Sequence, residues 1–116
     1  MSARLRRAAL LFGAGLAMAA AGPPPSLDVL AGRAIAFDRS KGNCLACHEI
    51  AGGDGASTVG PALKGIKARF SDRKALFRML WDEEQRNPQT IMPAFGKNLI
   101  LDKHEIEQII DFLYTL

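Results

Sequence analysis

Five consecutive residues, Cys44-Leu45-Ala46-Cys47-His48, constrain this chain more than any other stretch of it. A C-x-x-C-H sequence is the attachment pattern of a c-type haem. The spacing has a physical reason. One turn of helix sets two thiols where each can add to a vinyl group of the porphyrin, and it aims the next residue, an imidazole, at the iron. Cys44 and Cys47 are therefore read as covalent anchors of one haem c, and His48 as an axial iron ligand. The competing readings account for less. A structural zinc site needs four ligands, and beyond these three residues only His104 remains. A thioredoxin-like dithiol calls for a βαβ pattern around C-x-x-C, and none is present. A plain disulfide explains both cysteines and leaves His48 unexplained.

The first 21 residues have the layout of a secretory signal peptide. Arg4, Arg6 and Arg7 precede a weakly apolar run from Ala8 to Ala21 that ends in A-x-A-like cleavage sites. The run is shorter than the roughly 20 apolar residues of a spanning helix; an uncleaved N-terminal anchor is the alternative. Arg6-Arg7 also raises twin-arginine export. A chain that receives its haem after export crosses unfolded, however, which favours the general secretory route. Cleavage would place the mature protein in the bacterial periplasm without stable membrane anchoring. It also removes the charge excess. The chain carries +3, and those three arginines account for all of it. With no basic patch and no interleaved aromatics, nucleic acid is excluded as a partner.

Gly22 to Ser26, with Pro23-Pro24-Pro25, reads as a stiff extended leader. The domain proper is expected over residues 27–116. Ser26 suits an N-cap, and Leu27, Leu30, Ala31 and Ala34 recur at helical spacing, predicting a helix over about 27–38. Glycines and prolines through 39–70 predict loops, interrupted only by a turn of helix at Cys44–His48. Ser71 is expected to cap a middle helix running to about Gln85, and a second irregular stretch follows to about 101. Asp102 with Glu105 forms a capping-box pattern. Ile106, Ile109, Ile110 and Leu113 then follow i, i+3, i+4, i+7 spacing. No alternating run of strand length occurs. The expected fold is all-α, three to four helices with long loops around one haem. The terminal helices should cross, with Phe112 or Tyr114 against the small residues Ala31, Gly32 and Ala34.

Met79, Met92 and His104 compete for the sixth iron position. Met79 lies within the middle helix, where methionine ordinarily serves packing, and His104 falls in the polar first turn of the last helix. Met92 lies outside any helical pattern, in Thr90-Ile91-Met92-Pro93-Ala94-Phe95-Gly96. Pro93 biases it toward extended backbone. A core role explains it poorly, so Met92 is read as the second axial ligand. Met/His ligation raises the haem potential and leaves no open iron position, which describes an electron relay. In Gly60-Pro61-Ala62-Leu63, a carbonyl at Pro61 suits the Nδ1 proton of His48 and would fix that ring; an ordinary turn is the alternative.

The stretches Lys41–His48, Val59–Leu63, Lys67–Phe70, Trp81-Asp82, Asn87–Gly96 and Ile109–Leu113, taken in order, resemble the SoxX family. These are the monohaem subunits of the SoxAX cytochromes of thiosulfate oxidation. The Asn-Pro-x-Thr-x-Met-Pro-x-Phe-Gly stretch is the most specific part. The resemblance implies haem c on Cys44 and Cys47, with His48 and Met92 as axial ligands. It also implies a SoxA-type partner bearing the catalytic haem, in an L-cysteine S-thiosulfotransferase that conjugates thiosulfate to a cysteine of the SoxYZ carrier. The haem of this subunit would take the released electrons and pass them to a soluble cytochrome. Ala62 and Ala94 depart from the family, which often has proline there. Two alternatives stand beside this expectation: a free monohaem carrier of a respiratory chain, and an exported zinc or disulfide domain.

Overall fold

The computed structural model describes Gly15, residues 21–55 and residues 57–116. The expected signal peptide lies, apart from Gly15 and Ala21, outside the described residues. Residues 22–26 are exposed and without regular secondary structure. Ser26 then caps helix α1, Leu27–Phe37, its hydroxyl accepting from the Val29 N–H at 3.3 Å. A 3₁₀ turn, Cys44–Ala46, carries the first cysteine. Helices α2 (Ile66–Arg69) and α3 (Arg73–Trp81), a second 3₁₀ turn (Glu83–Gln85) and α4 (Lys103–Leu113) complete the order. Among the described residues there is no strand, only an isolated parallel bridge between Ile50 and Leu63. No described helix is long and apolar enough to cross a membrane.

The middle of the chain differs from the sequence expectation in three ways. Asp72, not Ser71, caps α3, accepting from the Lys74 N–H at 2.9 Å. The helix stops at Trp81, because the Trp81 carbonyl turns outward to accept the N–H groups of Gly96 and Lys97, both at 3.2 Å. Asp82 leaves the helical conformation, and Glu83–Gln85 form a separate turn. The third difference is α2, a single helical turn inside a stretch read as loop. It starts from Gly65, whose φ of 59° few other residues adopt without strain.

The terminal helices cross at Gly32. A Cβ there would stand 1.9 Å from the Gln108 carbonyl oxygen of α4, so only glycine allows this approach. The two aromatics named from the sequence part company. Phe112 meets Phe37 edge-on, with centroids 5.7 Å apart. Tyr114 turns away, its hydroxyl donating to the Phe70 carbonyl at 2.8 Å. Arg73 joins α3 to α4, donating to Glu107 at 2.7 Å and Asp111 at 2.6 Å. Ile106, Ile109, Ile110 and Leu113 of α4 are buried against Leu76, Leu80, Phe95 and Leu101. Each such side chain contributes about 1.5–3 kcal/mol. Packed this way, α1, α3 and α4 hold the 38–63 and 83–101 loops around one cleft.

Candidate haem-binding site

The motif is held by the end of α1. The Asp38 carbonyl accepts from Asn43 at 2.9 Å, and the Ile35 carbonyl from Gly42 at 3.1 Å. Asn43 takes a left-handed φ of 48°, a conformation asparagine tolerates, and so turns the chain into the 3₁₀ segment. There the Cys44 carbonyl accepts from both Cys47 and His48, at 3.2 and 2.9 Å. This tight turn directs Cys44, Cys47 and His48 into the same cleft. The two cysteine sulfurs are not joined to each other. Before haem is attached, burial pushes the Cys44 thiol up to about 11, as suits a side chain bedded among apolar groups.

A second segment runs beside the motif. Gly60 donates to the Cys47 carbonyl at 2.6 Å and Leu63 to the Glu49 carbonyl at 2.9 Å. This register brings the Pro61 carbonyl to 2.6 Å from His48 Nδ1. A proton on Nδ1 is donated to that carbonyl, leaving Nε2 as the lone-pair nitrogen available to a metal. Gly60 packs against the ring itself, its absent Cβ leaving room for Cε1.

Met92 enters the cleft from the other loop. That loop is fastened at both ends. At the near end buried Glu83 accepts from Arg86 at 2.5 and 3.2 Å, and its carbonyl accepts from Asn87 at 2.9 Å. At the far end Gly96 lies against Trp81, where a Cβ would come within 2.0 Å of the indole. Lys97 there pairs with buried Asp82 at 3.2 Å. Burial alone would push the Asp82 carboxyl up; hydrogen bonds from Gln85 and Lys97 outweigh it and hold the carboxyl below its usual value.

The cleft has a volume of about 620 Å³, within the roughly 300–1,000 Å³ of cofactor sites. Cys44, Cys47, His48 and Met92 all line it, with Leu76, Leu80, Phe95, Ile109 and Leu113 as apolar wall. Arg39, Arg69 and Arg86 also line it, and their cations would suit carboxylates such as the haem propionates. The residues present therefore fit a haem: two thiols, an imidazole, a thioether, apolar walls and charge-matched groups.

The structure places two further candidates differently from each other. Met79 packs on the core and also reaches the cleft wall, which its helical pattern did not reveal. His104 is exposed in the first turn of α4, away from the cleft. Glu83 and Arg86 are unmarked in the sequence, and in the Gly60–Leu63 stretch the expected role falls to Pro61 alone. A glycine beside a histidine ligand carries no local signature, and a Glu–Arg pair three residues apart reads as a surface ion pair.

Residues 29–116 match the family described as Cytochrome c. The chain belongs to the cytochrome c family. It therefore carries haem c, covalently bound, and Cys44 and Cys47 are the cysteines of its C-x-x-C-H motif. This cytochrome is also similar to a chain in the crystal structure of SoxXA from P. pantotrophus. The identity is 26%, the TM-score 0.66, and the match covers 81% of this chain and 83% of that one. That likeness agrees with the SoxX resemblance seen in the sequence. A comparison with curated proteins finds no match.

Proposed function

We propose that this cytochrome is the electron-transfer subunit of a SoxAX-type L-cysteine S-thiosulfotransferase. In this reading residues 1–21 are removed on export and the domain of residues 27–116 works in the periplasm. When bound, haem c supplies a one-electron couple. Cys44 and Cys47 would anchor it, and His48 and Met92 would supply the protein ligands to its iron. The Pro61 carbonyl keeps the imidazole in one tautomer and strengthens its donation. The apolar walls of the cleft would limit water around the group, and a thioether ligand would favour its reduced state.

The sulfur chemistry itself needs groups this chain does not offer. Joining a carrier thiol to thiosulfate forms one S–S bond and releases one proton and two electrons. With both cysteines committed to haem, and His48 and Met92 to its iron, the part left to this subunit would be to accept those electrons. The conjugation would occur on a SoxA-type partner that receives the SoxYZ carrier, and a soluble cytochrome would oxidise the relay.

The observation that carries this reading is the likeness to the SoxXA chain over four-fifths of the sequence, 81%. The test is affinity purification of the tagged cytochrome from its native host grown on thiosulfate. Co-elution of a second c-type cytochrome, with haem reduction that depends on thiosulfate and a carrier thiol, is the expected result. A monomeric haem protein blind to thiosulfate would overturn it in favour of a free carrier.

A further inference from the structure

Among the described residues, no backbone-to-backbone hydrogen bond ends on Ile91, Met92 or Pro93. Pro93 has no N–H to offer. The Met92 N–H is instead taken by a side chain: it donates to the Thr90 hydroxyl oxygen at 3.1 Å, in a partly buried setting. We propose that Thr90 is the residue that positions the Met92 thioether in the cleft. The inference rests on the reading of Met92 as an iron ligand.

Thr90 is itself fixed to the body of the protein. Its N–H donates to the Asn87 carbonyl at 3.0 Å, and the Asn87 N–H donates to the carbonyl of buried Glu83 at 2.9 Å. A relay of short turns thus runs from the end of α3 to the methionine. The last link alone depends on a side chain. Threonine suits it, because branching at Cβ restricts χ1 and holds the hydroxyl in place, and a hydroxyl accepting from an N–H two residues on makes a stable turn. On the far side Pro93 fixes φ, and buried Ala94 and Phe95 tie the chain to the core. Without the hydroxyl, the loop between these two anchors gains freedom at the ligand-bearing residue. The sulfur then leaves the iron more readily, although no contact to the haem has been removed.

The experiment uses the ferric holoprotein, with imidazole as the displacing probe. Loss of the far-red sulfur-to-iron band is followed during titration of the parent, Thr90→Val, Thr90→Ser and Met92→Ala. Valine keeps the shape and removes the acceptor. It is expected to raise the apparent imidazole affinity about 3- to 10-fold, the range of one ordinary hydrogen bond. Serine, which keeps the hydroxyl, should return it to the parent value. Equal affinity in Thr90→Val and parent would overturn the inference, as would a serine variant behaving like valine. A band that survives in Met92→Ala would instead overturn the ligand reading on which it rests.

Discussion

Gly60 lies so close to the His48 imidazole that an added Cβ would stand 2.4 Å from Cε1 and 2.7 Å from Nδ1. The neighbouring Pro61 carbonyl holds that same Nδ1, and Gly60 is itself tied to the Cys47 carbonyl. The turn therefore cannot retreat without releasing the motif. Gly60→Ala should destabilise the holoprotein by about 1–3 kcal/mol, the usual cost of overpacking. Thermal unfolding checks this: each kcal/mol lowers Tm by about 4–8 °C in a domain of this size. An unchanged Tm would mean that the ring and turn can separate freely.

The crossing of α1 and α4 makes an opposed pair of demands on Gly32. Alanine is the better helix former by about 0.8–1 kcal/mol. Its methyl would nevertheless meet the backbone of Gln108 and Ile109, which no side-chain rotation relieves. The clash should win, and Gly32→Ala should lower stability by about 1–3 kcal/mol in denaturant unfolding. A more stable variant would show that the helices can slide apart cheaply.

Leu99 is 88% exposed and adopts a φ of 58°. It closes a turn in which Ile100 donates to Phe95 and Leu99 to Gly96, the arrangement that usually ends on glycine. A side chain there costs roughly 1–2 kcal/mol, while glycine gives back part of that through its freer unfolded chain. Leu99→Gly should stabilise the protein by about 0.5–1 kcal/mol, measured by guanidinium unfolding. Destabilisation would show that the leucine makes a contact the fold needs.

Glu105 links the start of α4 to the segment before the haem motif. A hydrogen bond from Lys41, aided by the Asp102 N–H, holds its carboxyl below the usual glutamate value. A depressed carboxyl contributes stability above its unfolded pKa, and that contribution fades as pH falls through the folded value. Glu105→Gln should therefore be less stable than the parent at pH 7, with the gap closing as pH falls below about 4. Urea unfolding across that range checks the sign. A gap that widens on acidification would contradict it.

These local relationships show what could be read from residue order. Asp102 and Glu105 form the capping box in full, because both partners lie within one turn. The small-residue signal of α1 located the helix crossing. Cys44–His48 identified the cofactor, since its chemistry is contained in five adjacent residues. The end of α3 was not legible, because Trp81 is stopped by Gly96 and Lys97, fifteen residues or more along the chain. Helix α2 escaped notice because four residues show no periodicity and its flanking glycine reads as loop. Glu83 is buried although its sequence neighbours are polar, and nothing in its own neighbourhood announces it.

The central claim is that Met92 holds the iron while Met79, which lines the same cleft, serves packing. The most direct measurement is the far-red absorption of the ferric holoprotein in the parent, Met92→Ala and Met79→Ala. The account predicts the sulfur-to-iron band in the parent and in Met79→Ala. Met92→Ala should lose it and show a lowered reduction potential. A band that vanishes with Met79 and persists without Met92 would contradict the account.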